Sequence, residues 1–191
     1  MIQRSPLSTP ETPSQATPEA PAAAGHDLVL IESTVDHAFG RCGNVSLYVW
    51  RKLTLPSAMA AVVQSFEEAR RAGAGRFANY GVAEADSSLP EAEMRARLAH
   101  LMRDFADDMA ASAFTFEGTG FRAAAVRTAA TGLALIARQP YPHRIFNATR
   151  VAADWLVGQM GRRGVASPSA EAIDRAITAL RASPPGSATL R

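Results

Sequence analysis

The chain predicts an α/β fold: a single mixed, mainly parallel sheet with flanking helices, its elements running β-β-α-β-α-β-α-β-α. Three observations carry this expectation. Residues 112–160 read as strand, helix, strand, helix within fifty residues, the spacing of βαβ units on a parallel sheet. In Asn44–Trp50, Val45, Leu47 and Val49 alternate with Ser46, Tyr48 and Trp50, and the large residues on the second face imply that it is covered too. Met94, Leu98, Leu101, Met102 and Phe105 recur at helical spacing, the core stripe of an amphipathic helix.

The elements follow in order. Residues 1–25 hold five prolines among Ser, Thr, Ala and Glu, the composition of a disordered tail. Leu28–Ile31 reads as a short apolar strand or strand extension, Val35–Cys42 as extended chain, and Gly43-Asn44 as a two-residue turn between antiparallel strands. From Pro56 to Arg71, Met59, Val62, Val63 and Phe66 keep helical spacing, and Gly73 and Gly75 end the helix. Phe77–Ala83 is the next strand, weakened by Asn79 and Gly81. Ser88-Leu-Pro-Glu91 opens the helix that carries Met94 to Phe105. Ser112–Glu117 is a strand, Gly118-Thr119-Gly120 breaks it, and residues 121–138 have helical composition up to Pro140-Tyr-Pro142. His143–Phe146 is a brief strand before a helix bearing Trp155 and Leu156. After Gly161 the chain loosens, and Ser167-Pro168 starts a short helix with Ile173, Ala176, Ile177 and Leu180 on one stripe. Docking of that stripe on the domain is favoured over its presentation to a partner. The expected division is a tail over 1–25, an α/β domain over 26–161, and a linker with a short helix and a disordered end over 162–191.

Composition limits the function classes. Hydrophobic residues make up 47% and charged residues 20% of 191, as in a soluble globular protein. Twenty basic and eighteen acidic residues leave a net charge of only +2, so the pI near 9.1 reflects a small excess of permanently charged arginine. Lys52 is the only lysine; the arginine and alanine content fits a GC-rich genome, and no block of like charge points to nucleic acid. Cys42 stands alone and no apolar leader follows Arg4, so a reducing, cytoplasmic setting without integral membrane association is expected.

A hairpin, three αβ units and a final helix, together with Pro140, Pro142, Phe146, Ala152, Trp155 and Leu156 at the end, resemble the STAS-like domains of the anti-sigma-factor antagonist and lipid-transfer-like branch. The resemblance covers about residues 35–160 and is mostly one of element order. It implies a non-enzymatic regulatory or protein-interaction module with a protein partner. In the antagonist branch an Asp-Ser-Ser or Asp-Ser-Thr sequence carries a phosphorylated serine; Asp86-Ser87-Ser88 stands at the corresponding point, followed by Leu89-Pro90 where the family pattern has Gly. The same residues also read as a capping box, Ser88-x-x-Glu91, and that reading is preferred.

The alternative function is a small-molecule or anion-binding domain, possibly a degenerate enzyme, using the carboxyl edge of the sheet. Gly118, Thr119, Gly120 and Arg122 lie where a strand passes into a helix, with Arg51 near by, and free amides at such a junction attract anions. Gly-x-Gly alone lacks the remaining features of a dinucleotide site. His26, His37, His100 and His143 lack metal-ligand spacing, and no cofactor is expected. His37 and Cys42, five residues apart on one strand, fall on opposite faces and cannot form a dyad. Asp104, Asp107 and Asp108 read as solvated surface charge. No catalytic set is evident.

Overall fold

A computed structural model of the chain describes residues 27–116, 128 and 139–188. The expected tail and, apart from residue 128, the expected helix over 121–138 lie outside the described residues. The sheet has six strands in the order β1-β2-β3-β4-β5-β6. β1 (Leu28–Ser33), β2 (His37–Cys42) and β3 (Val45–Trp50) pair antiparallel. β4 (Phe77–Ala83), β5 (Met109–Phe116) and β6 (His143–Phe146) continue from β3 in parallel.

The sheet is therefore mixed, with an antiparallel half in addition to the expected parallel one. Its antiparallel part holds three strands where two and an ambiguous extension were expected. The reason is local: the Thr34 hydroxyl accepts from the backbone amides of Asp36 and His37 at 3.1 and 3.0 Å, a side-chain turn that reverses the chain. The β2–β3 hairpin turns at Gly43-Asn44 as expected, with Cys42 opposite Val45 and Gly43 at φ 54°.

Both faces are covered. A 3-10 turn at Pro56–Ala58 leads into α1 (Met59–Ala72), and α2 (Ala92–Asp104) connects β4 to β5. Two crossovers advancing in the same direction along a sheet place their helices on one face when they share a hand. The opposite face carries α3 (Thr149–Arg162), over β4 to β6, and α4 (Ala170–Ala182), over β1 to β3. Alternation in the strands sorts the cores. Val45, Leu47, Val49, Tyr80 and Val82 meet α3 and α4, whereas Trp50, Phe77 and Phe116 meet α1 and α2. Cys42 lies in the first core, where burial pushes its thiol up to about 11; His37 packs against Phe39 and Trp50 on the other face. Among the described residues, no helix is long and apolar enough to cross a membrane.

α4 is part of the packed body. Ser169 caps it by accepting from the Ala172 amide at 3.2 Å, and Ile173, Ile177 and Leu180 are fully buried. Arg51 holds its far end, donating to the carbonyls of Leu180, Arg181 and Ser183 at 3.1, 3.2 and 2.8 Å and to that of Thr34 at 2.6 Å. A cation at the carbonyl end of a helix also suits the helix dipole. Arg181 pairs with Glu84 through two contacts of 2.7 and 2.8 Å. Beyond the helix, Ser33 exchanges backbone bonds with Gly186 and Ser187, both at 2.7 Å. Ile177→Ala is expected to lower the unfolding free energy by about 2–5 kcal/mol in urea denaturation. A change below about 0.5 kcal/mol, the range of surface substitutions, would show that α4 does not pack on the sheet in solution.

Candidate functional site

Among the described residues, the two helices on the β1-to-β6 sheet's aromatic face differ in the residues they turn inward. α1 offers Ala61, Ser65 and Ala69, all buried, between Val62 and Phe66. These small side chains let its backbone lie close against β2, β3 and β4. α2 turns in Met94, Leu98, Leu101 and Met102, whose length holds its backbone off the sheet. The gap that results is a cavity of about 80 Å³, counted as space open to the centre of a water molecule. That corresponds to roughly five to eight water positions, or a single substituted ring. Its walls are mainly apolar: Trp50, Val62, Phe66, Leu98, Leu101 and Phe114.

Its floor is polar, and the strand register explains why. Ser46, Asn79, Ser112 and His143 are consecutive partners across β3, β4, β5 and β6, so one polar row crosses the sheet beneath α1 and α2. Ser46 is satisfied locally. It shares a 2.6 Å bond with Ser65, whose own hydroxyl donates to the Gly40 carbonyl at 2.8 Å. Further along, the Asn79 amide donates to Ser112 Oγ at 3.4 Å, and Ser112 Oγ bonds His143 Nδ1 at 3.2 Å. Among the described residues, Asn79 Oδ1, His143 Nε2 and Gln139 Oε1 are buried without a hydrogen-bond partner. All three residues line the cavity.

The next row sets the cavity's shape. Tyr48 is opposite Gly81 in the register, and a Cβ on Gly81 would fall 2.0 Å from the Tyr48 ring. The glycine that weakens β4 as a strand is what admits this ring. Burial pushes the Tyr48 phenol up to about 12, opposed in part by a hydrogen bond with Asn79. Burial likewise holds the His143 imidazole down at about 4, so it is neutral at physiological pH. Burial also raises the Tyr141 phenol, with the nearby Tyr48 adding to the shift.

The expected site residues fare differently. Asp86 is exposed, whereas Ser87 is only 3% exposed. Ser88 donates its backbone amide to the Lys52 carbonyl at 2.6 Å. The expected Ser88-x-x-Glu91 capping box does not form: α2 begins at Ala92, its N-cap is Glu91, and no side chain caps it. Leu89 precedes a proline, which disfavours helical backbone there, and Ser88 is already tied to the exit of β3. Ser87 and Ser88 instead stand with Leu89, Pro90 and Arg95 at the cavity. Arg51, the expected anion ligand, holds the end of α4. Gly118, Thr119, Gly120 and Arg122 lie outside the described residues. Asp108 pairs with Arg70 at 2.8 Å. Sequence reasoning missed Tyr48, Asn79, Ser112, Gln139 and His143 as a set. The available signal was a polar residue at the inward position of successive strands, which reads as a fault in each strand taken alone.

The folded-state value of His143 lies below its ordinary 6.5, so as pH falls through 6.5 the unfolded chain gains a proton that the folded one refuses. Stability tied to this group is therefore complete above about pH 6.5 and declines toward pH 4, by at most about 1.4 kcal/mol per pH unit. The expected outcome is an imidazole NMR titration midpoint near 4, and a shallower acid loss of stability in His143→Gln. A midpoint near 6.5 would place the ring in water.

No protein-family model, curated protein or solved structure matches the chain. The cavity's own geometry therefore carries the functional reading.

Proposed function

We propose that this protein binds a small, largely apolar organic molecule in the cavity between the sheet and α2, and that it acts as a binding domain and not as an enzyme. The observation that carries this reading is the pairing of apolar walls with three buried polar atoms that have no partner among the described residues. Leaving such a group unsatisfied costs about 1–3 kcal/mol, and pockets of this composition are the usual form of small-molecule sites. The nearest thing to a catalytic pair, Ser112 and His143, supports binding over catalysis. Ser112 is 1% exposed, and no carboxylate meets the imidazole among the described residues. The lone Cys42 supports a cytoplasmic location as part of this reading.

A second reading, a STAS-like regulatory or interaction module with a protein partner, is favoured by one feature. Leu53, Leu55 and Leu89 are 50%, 37% and 43% exposed, on two loops joined by the Ser88–Lys52 backbone bond. Exposed apolar residues grouped in this way mark contact surfaces. Ser87, Ser88 and Leu89 also line the cavity, so a partner meeting these loops would also meet the cavity's edge.

Methyl NMR with toluene as the probe tests the first reading. Saturable shifts are expected at Val62, Leu98 and Leu101, and their loss is expected in Leu98→Trp, which fills the space. Shifts that stay linear in toluene concentration, or that survive Leu98→Trp unchanged, would overturn it.

A further inference from the structure

Given a cavity that binds a small molecule, as proposed, the polar row specifies more of the ligand than its size and apolar body. Asn79 is fully buried; with its amide nitrogen donating to Ser112, its carbonyl oxygen is left as an acceptor without a partner among the described residues. Gln139 is arranged in the same way: its nitrogen contacts Met102 Sδ at 2.9 Å, and Oε1 is buried and unmatched. Ser112 completes the chain. Because it accepts from Asn79, its own hydroxyl hydrogen is available to His143 Nδ1, 3.2 Å away, and chains of this kind strengthen each other. A neutral imidazole that accepts at Nδ1 carries its proton on Nε2. The floor then presents two acceptors, Asn79 Oδ1 and Gln139 Oε1, and the donor His143 Nε2, with the Tyr48 hydroxyl, which hydrogen-bonds Asn79, beside them.

We infer that the cavity takes a neutral ligand whose polar end is a carboxamide or a group of the same pattern, a lactam or an amide-like heterocycle edge, on a compact apolar or aromatic body. A carboxamide nitrogen supplies two donors for the two acceptors, and its oxygen accepts from the imidazole. The pattern discriminates on both sides. A carboxylate places negative charge against two carbonyl oxygens, and the one charged side chain among the described lining residues, Arg95, which donates one N–H to the Pro90 carbonyl at 2.6 Å, is the group that would favour it. A pure hydrocarbon fills the walls but leaves the three floor atoms unmatched. Sites built to hydrogen-bond a substrate reject analogues that lack the bonding group far more strongly than they reject a missing methylene. Separately ordered waters can also meet these atoms, but each carries its own immobilisation cost.

The test uses the full chain with Trp155→Phe, which leaves Trp50 in the cavity wall as the only indole; Trp155 packs against Phe146 on the opposite face. Quenching or enhancement of Trp50 fluorescence is titrated with benzamide, benzoate and toluene. Benzamide is expected to bind at least about tenfold more tightly than either of the others. Gln139→Met, which keeps length and loses the acceptor, is expected to reduce the benzamide affinity by about tenfold, and His143→Phe provides a second, independent loss should that variant fold poorly. Equal affinity for toluene and benzamide would leave the cavity reading standing and overturn the carboxamide inference. Tightest binding by benzoate would overturn it in favour of an anion. Saturable binding by none of the three would overturn the carboxamide inference and the cavity reading together.

Discussion

A sheet covered on both faces leaves little wet surface on which to place a polar residue, so the polar side chains that its strands turn into either layer have to be satisfied inside the protein. Most of this molecule's particular features follow from how that requirement is met. On the α3 and α4 face it is met largely by avoidance: the strands present Val45, Leu47, Val49, Ala78, Val82, Ala111 and Ala113. A large buried polar group there, the Tyr80 hydroxyl, bonds Thr115 and the Thr149 carbonyl, both at 3.1 Å. On the α1 and α2 face it is met by a row. Ser46 closes on Ser65 and Gly40, and Asn79, Ser112 and His143 close on one another with acceptor and donor capacity left over. Polar groups are expensive to retain in such a place, and the row ends where the helix above it stands away from the sheet.

The cavity is therefore the product of two choices of side chain. Alanine and serine on α1 bring it down on β2 to β4, and leucine and methionine on α2 hold it up. Neither helix departs from ordinary helical composition. Only their contrast on one face leaves space, and only the register of four strands directs polar atoms into it. The same logic accounts for Gly81, whose missing side chain lets the Tyr48 ring lie across β4 and bound the cavity.

Periodicity made the elements legible and left their mutual placement hidden. The alternation of Val45 to Trp50 and the stripe of Met94 to Phe105 locate β3 and α2 because burial of one face imposes the period directly. β1 was half-legible: its apolar run is evident, but its pairing depends on the Thr34 side-chain turn. Ile173 to Leu180 is a clear stripe, and the residue that secures its far end, Arg51, sits 129 positions from Leu180. A basic residue after a strand suggests an anion site until the carbonyls it serves are known. The site shows the same limit. Asn79 and Gly81 count against β4 in a propensity scale, and they become intelligible only beside Ser112, His143 and Tyr48, which the register supplies.

The strand order also bears on where a ligand can sit. Open α/β sheets bind at the carboxyl edge where the strand order reverses and neighbouring crossovers diverge to opposite faces. Here the order runs from β1 to β6 without reversal, α1 and α2 stay on one face, and no such crevice opens between them. At the carboxyl ends of β3 and β4, Arg51 and Glu84 are engaged by the last turn of α4. The space that remains lies under a face; among the described residues it is bounded by a sheet whose backbone bonds fix it, by Val62 and Phe66 of α1, and by α2, which meets it through long, adjustable side chains. Leucine and methionine side chains rearrange at far lower cost than a hydrogen-bonded strand. On the proposed reading, admission of a ligand falls to α2 and the loop before it, the segment that begins without a side-chain cap and carries Ser87, Ser88 and Leu89 to the cavity.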